Sequence, residues 1–351
     1  MSDRRATAPW PWVLLVAALA SLALPARRGD GAAERRLRSP VRAGLVFDVG
    51  GRGDKSFNDA AYAGLARARQ ELGVDVEYVE PADGDDRAGA LRLFAARGFD
   101  RIVGVGYMFS RDIDEVARDY PDRRFACVDY APPEHGDVPP NVVGLKFREE
   151  EGAFLVGAAA GLSSRSRAVG FVGGMDIPLI RRFEAGYRAG VGAVCAACTV
   201  SAAYAGSTPL AFKDPERGAQ LATAQFATGV DVIFHASGST GHGVFVAAQR
   251  LGRRAIGVDA DQYDDMPGVV MTSMLKRVDV VVFELVREAV AGRFDRGDAG
   301  LRSFGVREAG IDWVHAGPHA AGMSADTIAR VEGLRDAIAR GELRVAGREA
   351  R

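Results

Sequence analysis

Between positions 45 and 58 the chain reads LVFDVGGRGDKSFN. An apolar run ends at Asp48, a glycine-rich turn follows, and Asp54, Lys55, Ser56, Phe57 and Asn58 lead into a helical pattern. In an open α/β sheet the crevice beyond the carboxyl end of a strand is where ligands sit. A carboxylate there accepts from hydroxyls, an aromatic ring stacks on a flat heterocycle, and an amide does both donor and acceptor work. These types suit a small molecule carrying hydroxyls and a flat ring. They suit a phosphate less well. The phosphate loop needs Gly followed directly by Lys, and here Asp54 stands between Gly53 and Lys55. The dinucleotide fingerprint fails as well, because Ser56 takes the place of its third glycine. A calcium loop needs acids at alternating positions and a closing Glu, which Asp48 and Asp54 do not supply. The tripeptide Arg52-Gly53-Asp54 is too short to carry an adhesion reading. At its plainest the segment is a tight turn, with Ser56 or Asn58 capping a helix over 60–72 that Gly73 ends.

The elements that position this turn come from the rest of the pattern. Apolar runs at 43–47, 74–78, 101–105, 124–128, 142–147, 168–172, 200–204, 230–235, 254–258 and 269–273 read as strands. Helical patterns at 60–72, 86–96, 109–119, 149–161, 177–193, 215–228, 241–251 and 277–291 alternate with them. Short apolar strands separated by helices predict α/β architecture, with parallel sheets covered on both faces. A chain of 351 residues predicts two lobes rather than one core. Several strands end in acid, glycine and small polar residues: Asp48, Gly104-Val105-Gly106, Asp129, Ser237-Gly238-Ser239, and Asp259-Ala260-Asp261-Gln262. Such loops on two sheets can face each other across a hinged cleft.

Composition narrows the classes. Forty-five basic and 46 acidic residues give a net charge of −1, which predicts no nucleic-acid partner. Arg4 and Arg5, the apolar run 13–24 and the exit Pro25-Ala26-Arg27-Arg28 have the layout of a secretory signal. The run is short for a membrane span, which takes about 20 residues; an uncleaved anchor is the competing reading. We therefore expect residues 1–28 to be a signal peptide or anchor, 29–40 a linker, and the protein to be exported to the periplasm or cell surface. No cysteine follows the run to take a lipid. Cys195 and Cys198 read as a small local disulfide or two inert thiols, and Cys127 as core.

The motifs Asp48-Val49-Gly50-Gly51, Asp54-Lys55-Ser56-Phe57-Asn58, Gly257-Val258-Asp259-Ala260-Asp261-Gln262 and Ser273-Met274-Leu275-Lys276 are similar to those of the basic membrane protein family. Its best-understood members are purine nucleoside receptors, the extracytoplasmic binding subunits of ABC importers. The resemblance runs from Val41 into the tail at 338–345. It implies a type I periplasmic-binding fold, with two doubly wound parallel-sheet lobes joined by a hinge, one lobe being 41–148 plus about 268–304 and the other 149–267 plus about 305–351. It implies capture of a purine nucleoside without catalysis or cofactor, and ABC permease and ATPase subunits as partners. Carried over by position, Asp48 binds the nucleoside, Phe57 stacks on the base with Asn58 beside it, Gly238 offers a backbone contact, and Asp259 binds ribose beside Lys276. The family's second stacking ring lies in a G-S-F-x-D-P segment; here an insertion interrupts it (Gly206-Ser207-Thr208-Pro209-Leu210-Ala211-Phe212-Lys213-Asp214-Pro215), and Phe212 is the best match. Asp129, another strand-end acid, completes the candidate ligand-binding set.

Each assignment has a plain counterpart. Phe57 could staple its helix start, Asp259 and Asp261 could be caps, and Lys276 a solvated cation at a helix end. A nucleoside hydrolase is one competing function; it needs clustered acids holding a metal and a water. Asp259, Asp261, Asp264 and Asp265 cluster, but the first turn has no matching group, and the five histidines lack ligand spacing. A membrane-anchored sensor binding a nucleoside or sugar-like ligand is the other.

Overall fold

The computed structural model describes residues 41–81, 86–134, 137–293 and 300–346. The expected export segment and linker lie outside the described residues, as does His135. The strands are β1 (Arg42–Val46), β2 (Asp75–Val79), β3 (Arg101–Val105), β4 (Phe125–Val128), β5 (Val142–Phe147), β6 (Ala168–Met175), β7 (Thr199–Gly206), β8 (Val232–Ala236), β9 (Arg254–Asp259), β10 (Val270–Lys276), β11 (Leu301–Phe304) and β12 (Ile311–Trp313). The helices are α1 (Phe57–Leu72), α2 (Arg87–Ala96), α3 (Phe109–Asp119), α4 (Glu149–Ser163), α5 (Pro178–Val194), α6 (Pro215–Ala227), α7 (Thr240–Arg250), α8 (Val278–Val290) and α9 (Ala325–Arg340).

Two six-stranded sheets form, in the orders β11-β5-β4-β3-β1-β2 and β12-β10-β9-β8-β6-β7. The second repeats the first with each early strand replaced by the one five places later. Every pairing is parallel except that of β12 with β10. Central strands such as β3 (RIVGV) and β8 (VIFHA) are buried along their whole length, as expected where helices cover both faces. In each sheet the strand order reverses at one place, between β1 and β3 and between β6 and β8, and it is beyond such reversals that ligands bind.

The chain passes between the sheets at Phe147–Glu149, at Lys276–Val278 and between β11 and β12. The second passage corrects a predicted boundary. Residues 268–304 were expected with the first lobe, but β10 pairs with β9 in the second sheet, and only α8, packed on α1, and β11 join the first. The apolar strand β10 fills a slot beside β9 before the chain turns back at Arg277. The two short strands β11 and β12, and the helix α9, had no counterpart in the sequence pattern. Among the described residues no helix is long and apolar enough to cross a membrane.

Candidate functional site

The turn after β1 is built around two carboxylates with different duties. Asp54 is buried and accepts from the backbone amides of Ser56 (3.0 Å), Asn58 (2.8 Å) and Asp59 (3.1 Å). It therefore caps α1, and neither Ser56 nor Asn58 does; the cap lies further back than the expected one because the helix starts at Phe57, not Ala60. Burial holds the Asp54 carboxyl above the usual range, and these amides pull it back. Asn58 ties the two acids together: its Nδ2 donates to Asp54 (3.0 Å) and its Oδ1 accepts from the Asp48 amide (3.3 Å).

Asp48 turns into the cleft. Its Oδ1 accepts from the Val49 amide at 2.8 Å. Burial pushes its carboxyl up to about 6, against the pull of that amide and of Arg87. The space it occupies exists because position 106, at the end of β3, is glycine. A Cβ there would stand 2.2 Å from Asp48 Oδ2, on a backbone with φ of +121°. Gly106→Ala is therefore expected to displace the carboxylate and destabilise the protein by about 1–3 kcal/mol. Chemical denaturation alongside a ligand titration would show both effects, and a variant with unchanged stability and affinity would refute the account.

A second pair of acids stands at matching places in the two sheets. Asp129 follows β4 and Asp259 ends β9, the equivalent strand, and both have left-handed backbones, with φ of 61° and 66°. Strain of this kind concentrates at functional sites. Lys276, at the end of β10, bridges the lobes. Its Nζ lies 2.5 and 2.7 Å from the Asp129 oxygens and 3.5 Å from Glu149 Oε1. It also stands 5.0 Å from the centre of the Phe57 ring and 4.9 Å from that of Phe147. Lys276 is only 2% exposed. Burial alone would lower its pKa, but Asp129, Glu149 and Asp259 override it and hold the ammonium charged. Beneath lies Arg182, whose Nη2 is 3.0 Å from Glu149 Oε2. Burial raises Asp129 and brings Asp259 up to about 6, with Lys276 opposing both shifts. Asp259 Oδ2 accepts from Ser56 Oγ at 2.6 Å.

The opposite wall is apolar, formed by Met175, Ile177, Ile180, Phe183 and Phe212. Phe212 ends a single 3₁₀ turn, Pro209–Phe212, and its ring packs against the backbone at Gly174, where a Cβ would be 2.3 Å from it. The turn after β8 contributes Ser237, Gly238 and Ser239. The resulting cleft between the sheets holds roughly 740 Å³ of empty space, open solvent at its mouth included.

Asp48, Phe57, Asn58, Asp129, Phe212, Gly238, Asp259 and Lys276 all line this one cleft. Sequence reasoning missed Phe183, Met175 and Ser237 in its wall, and Glu149 and Arg182 below it. Of the acid cluster after β9, Asp265 pairs with Lys55 at 2.7 Å and Asp261 with His319 at 2.6 Å. Among the described residues no group of three or more His, Cys, Asp or Glu could hold a metal ion. Cys195 and Cys198 form a disulfide outside the cleft lining, and Cys127 is buried.

Residues 42–324 match the model of a family described as ABC transporter substrate-binding protein PnrA-like. A CD4+ T-cell-stimulating antigen of Listeria monocytogenes is 36% identical, over 86% of this chain and 87% of that protein. An ABC transporter nucleoside-binding protein of Lactococcus lactis is 29% identical, over 79% of this chain and 82% of its own. Among solved structures, an ABC transporter solute-binding protein of Aeropyrum pernix K1 superposes with a TM-score of 0.77 at 31% identity, covering 89% of this chain and 94% of its own.

Proposed function

Because this chain belongs to the PnrA-like family of ABC transporter substrate-binding proteins, we propose that it captures a purine nucleoside outside the cytoplasm and hands it to an importer. The observation that carries this reading is the joint placement, in one cleft between two sheets, of the Phe57 and Phe212 rings with the carboxylates of Asp48, Asp129 and Asp259. The rings stack on the base, and each such contact is worth about 1–3 kcal/mol. The carboxylates take the hydroxyl and N–H protons of the ligand in charge-assisted hydrogen bonds. Three acids against one paired lysine repel a phosphate, so nucleosides are held and nucleotides refused. Binding and release need no covalent step. The similarity to a nucleoside-binding protein of Lactococcus lactis supports the ligand class. Lipoprotein-named relatives, one in Pyrococcus abyssi among them, support a place outside the cytoplasm at the membrane, with permease and ATPase subunits as partners.

Titration calorimetry with inosine, guanosine, adenosine, their 5′-monophosphates and glucose tests this. Nucleosides are expected to bind and the monophosphates to give no heat. Affinity is expected to rise from pH 5 to pH 7.5, because Asp48 and Asp259 lose their protons near 6 and only the ionised form accepts with full strength. Glucose binding without any nucleoside binding would overturn the reading.

A further inference from the structure

Behind the β8–α7 turn lies a set of hydrogen bonds whose directions are fixed one after another. The Val258 amide donates to Gln262 Oε1 at 2.8 Å, and Gln262 Nε2 donates to the Lys55 carbonyl at 3.2 Å. The amide orientation of Gln262 follows, since its oxygen must face an N–H and its nitrogen a carbonyl. His235 Nε2 lies 3.1 Å from that same oxygen and must carry a proton. The imidazole is fully buried, and burial pushes its pKa down to about 4, so the ring is neutral and Nδ1 has only a lone pair. Its ring is also pinned in place. A Cβ at Gly241 would stand 1.9 Å from it. Ser237 Oγ is 3.2 Å from Nδ1, so the Ser237 hydroxyl donates inward. Nearby, Ser239 Oγ donates to the Phe212 carbonyl at 3.0 Å. Asp259 already takes the Ser56 proton on one oxygen.

We propose that Ser237 is a specificity-determining residue that reads hydrogen-bond direction: with its proton held by His235, it offers the cleft an acceptor only, and the ligand must donate there. Ser239 and Asp259 give the same wall the same polarity. The ligand class is thereby narrowed to molecules with free hydroxyl or N–H groups on this side, and an ether or fluorine in the same place is refused. This rests on the nucleoside reading above.

Fluorine is close in size to a hydroxyl and accepts weakly but cannot donate, so it separates the two directions. The probes are inosine, its 2′-, 3′- and 5′-deoxy forms, and the matching deoxyfluoro forms, titrated against the full protein and against Ser237→Ala. The expected result is that at least one deoxy form binds tenfold or more weakly, that its fluoro counterpart binds no better, and that Ser237→Ala shrinks this penalty to threefold or less. Recovery by fluorine to within about threefold of inosine overturns the inference, as does a penalty that Ser237→Ala leaves unchanged, or the absence of any tenfold penalty. These outcomes leave the nucleoside reading standing. Failure of inosine, guanosine and adenosine to bind at all overturns both.

Discussion

Replacing Lys276 by Met is expected to destabilise the protein by about 3–5 kcal/mol, the usual result of removing one partner from a buried ion pair. The substitution nearly preserves volume but leaves Asp129 without its cation, beside Glu149, which keeps only Arg182. The loss depends on pH, with a sign that can be worked out. Asp129 is already held above its ordinary value by burial, and without Lys276 it rises further. A carboxyl with a raised folded pKa is penalised as pH climbs from the unfolded value of 3.8 through the folded one. The variant should therefore lie closest to wild type near pH 4 and fall away as pH rises towards 7. Urea melts at several pH values would show this, and a gap of constant size across pH would exclude the ion pair as its cause. Adding Asp129→Asn should recover part of the loss, because the uncompensated charge is then gone.

The second large effect concerns affinity rather than stability. Phe57→Ala is expected to weaken binding of the proposed nucleoside ligand by about 5- to 150-fold, equivalent to the loss of one base–aromatic stack. Phe57 is only half-buried at the start of α1, so the melting temperature should move little. Phe57→Leu keeps the apolar volume but not the flat face, and should lie between. Equal affinity in all three proteins would show that the ring merely staples its helix.

What the sequence conveyed and what it concealed divide along a physical line. Asp48, Phe57, Asp259 and Lys276 were legible because each stands in a short motif at the end of an apolar run, and the ends of runs are the loops of an α/β sheet. Phe212 lies in an interrupted motif. Only the fold shows how a 3₁₀ turn lays its ring on Gly174. Glu149 and Arg182 were hidden for a different reason. Glu149 opens α4 among three acids, a pattern that reads as a solvated helix start, and its burial depends on the chain crossing between sheets beside it. In the link from Ser237 through His235 to Gln262, the second step spans 27 residues of sequence, and no local period announces such a contact. β11 and β12 were missed because strands of four and three residues carry too few apolar positions to register.

Ser56 on Asp259, Gln262 on the Lys55 carbonyl and Lys55 on Asp265 join the two lobes directly, with nothing between them. Each of these bonds has to break for the lobes to part, whether or not the cleft is filled. A binder biased in this way gives up less of its ligand's intrinsic affinity to the work of closing, since the competent form is more populated from the start. The same bias slows discharge, because cargo leaves only after those bonds part.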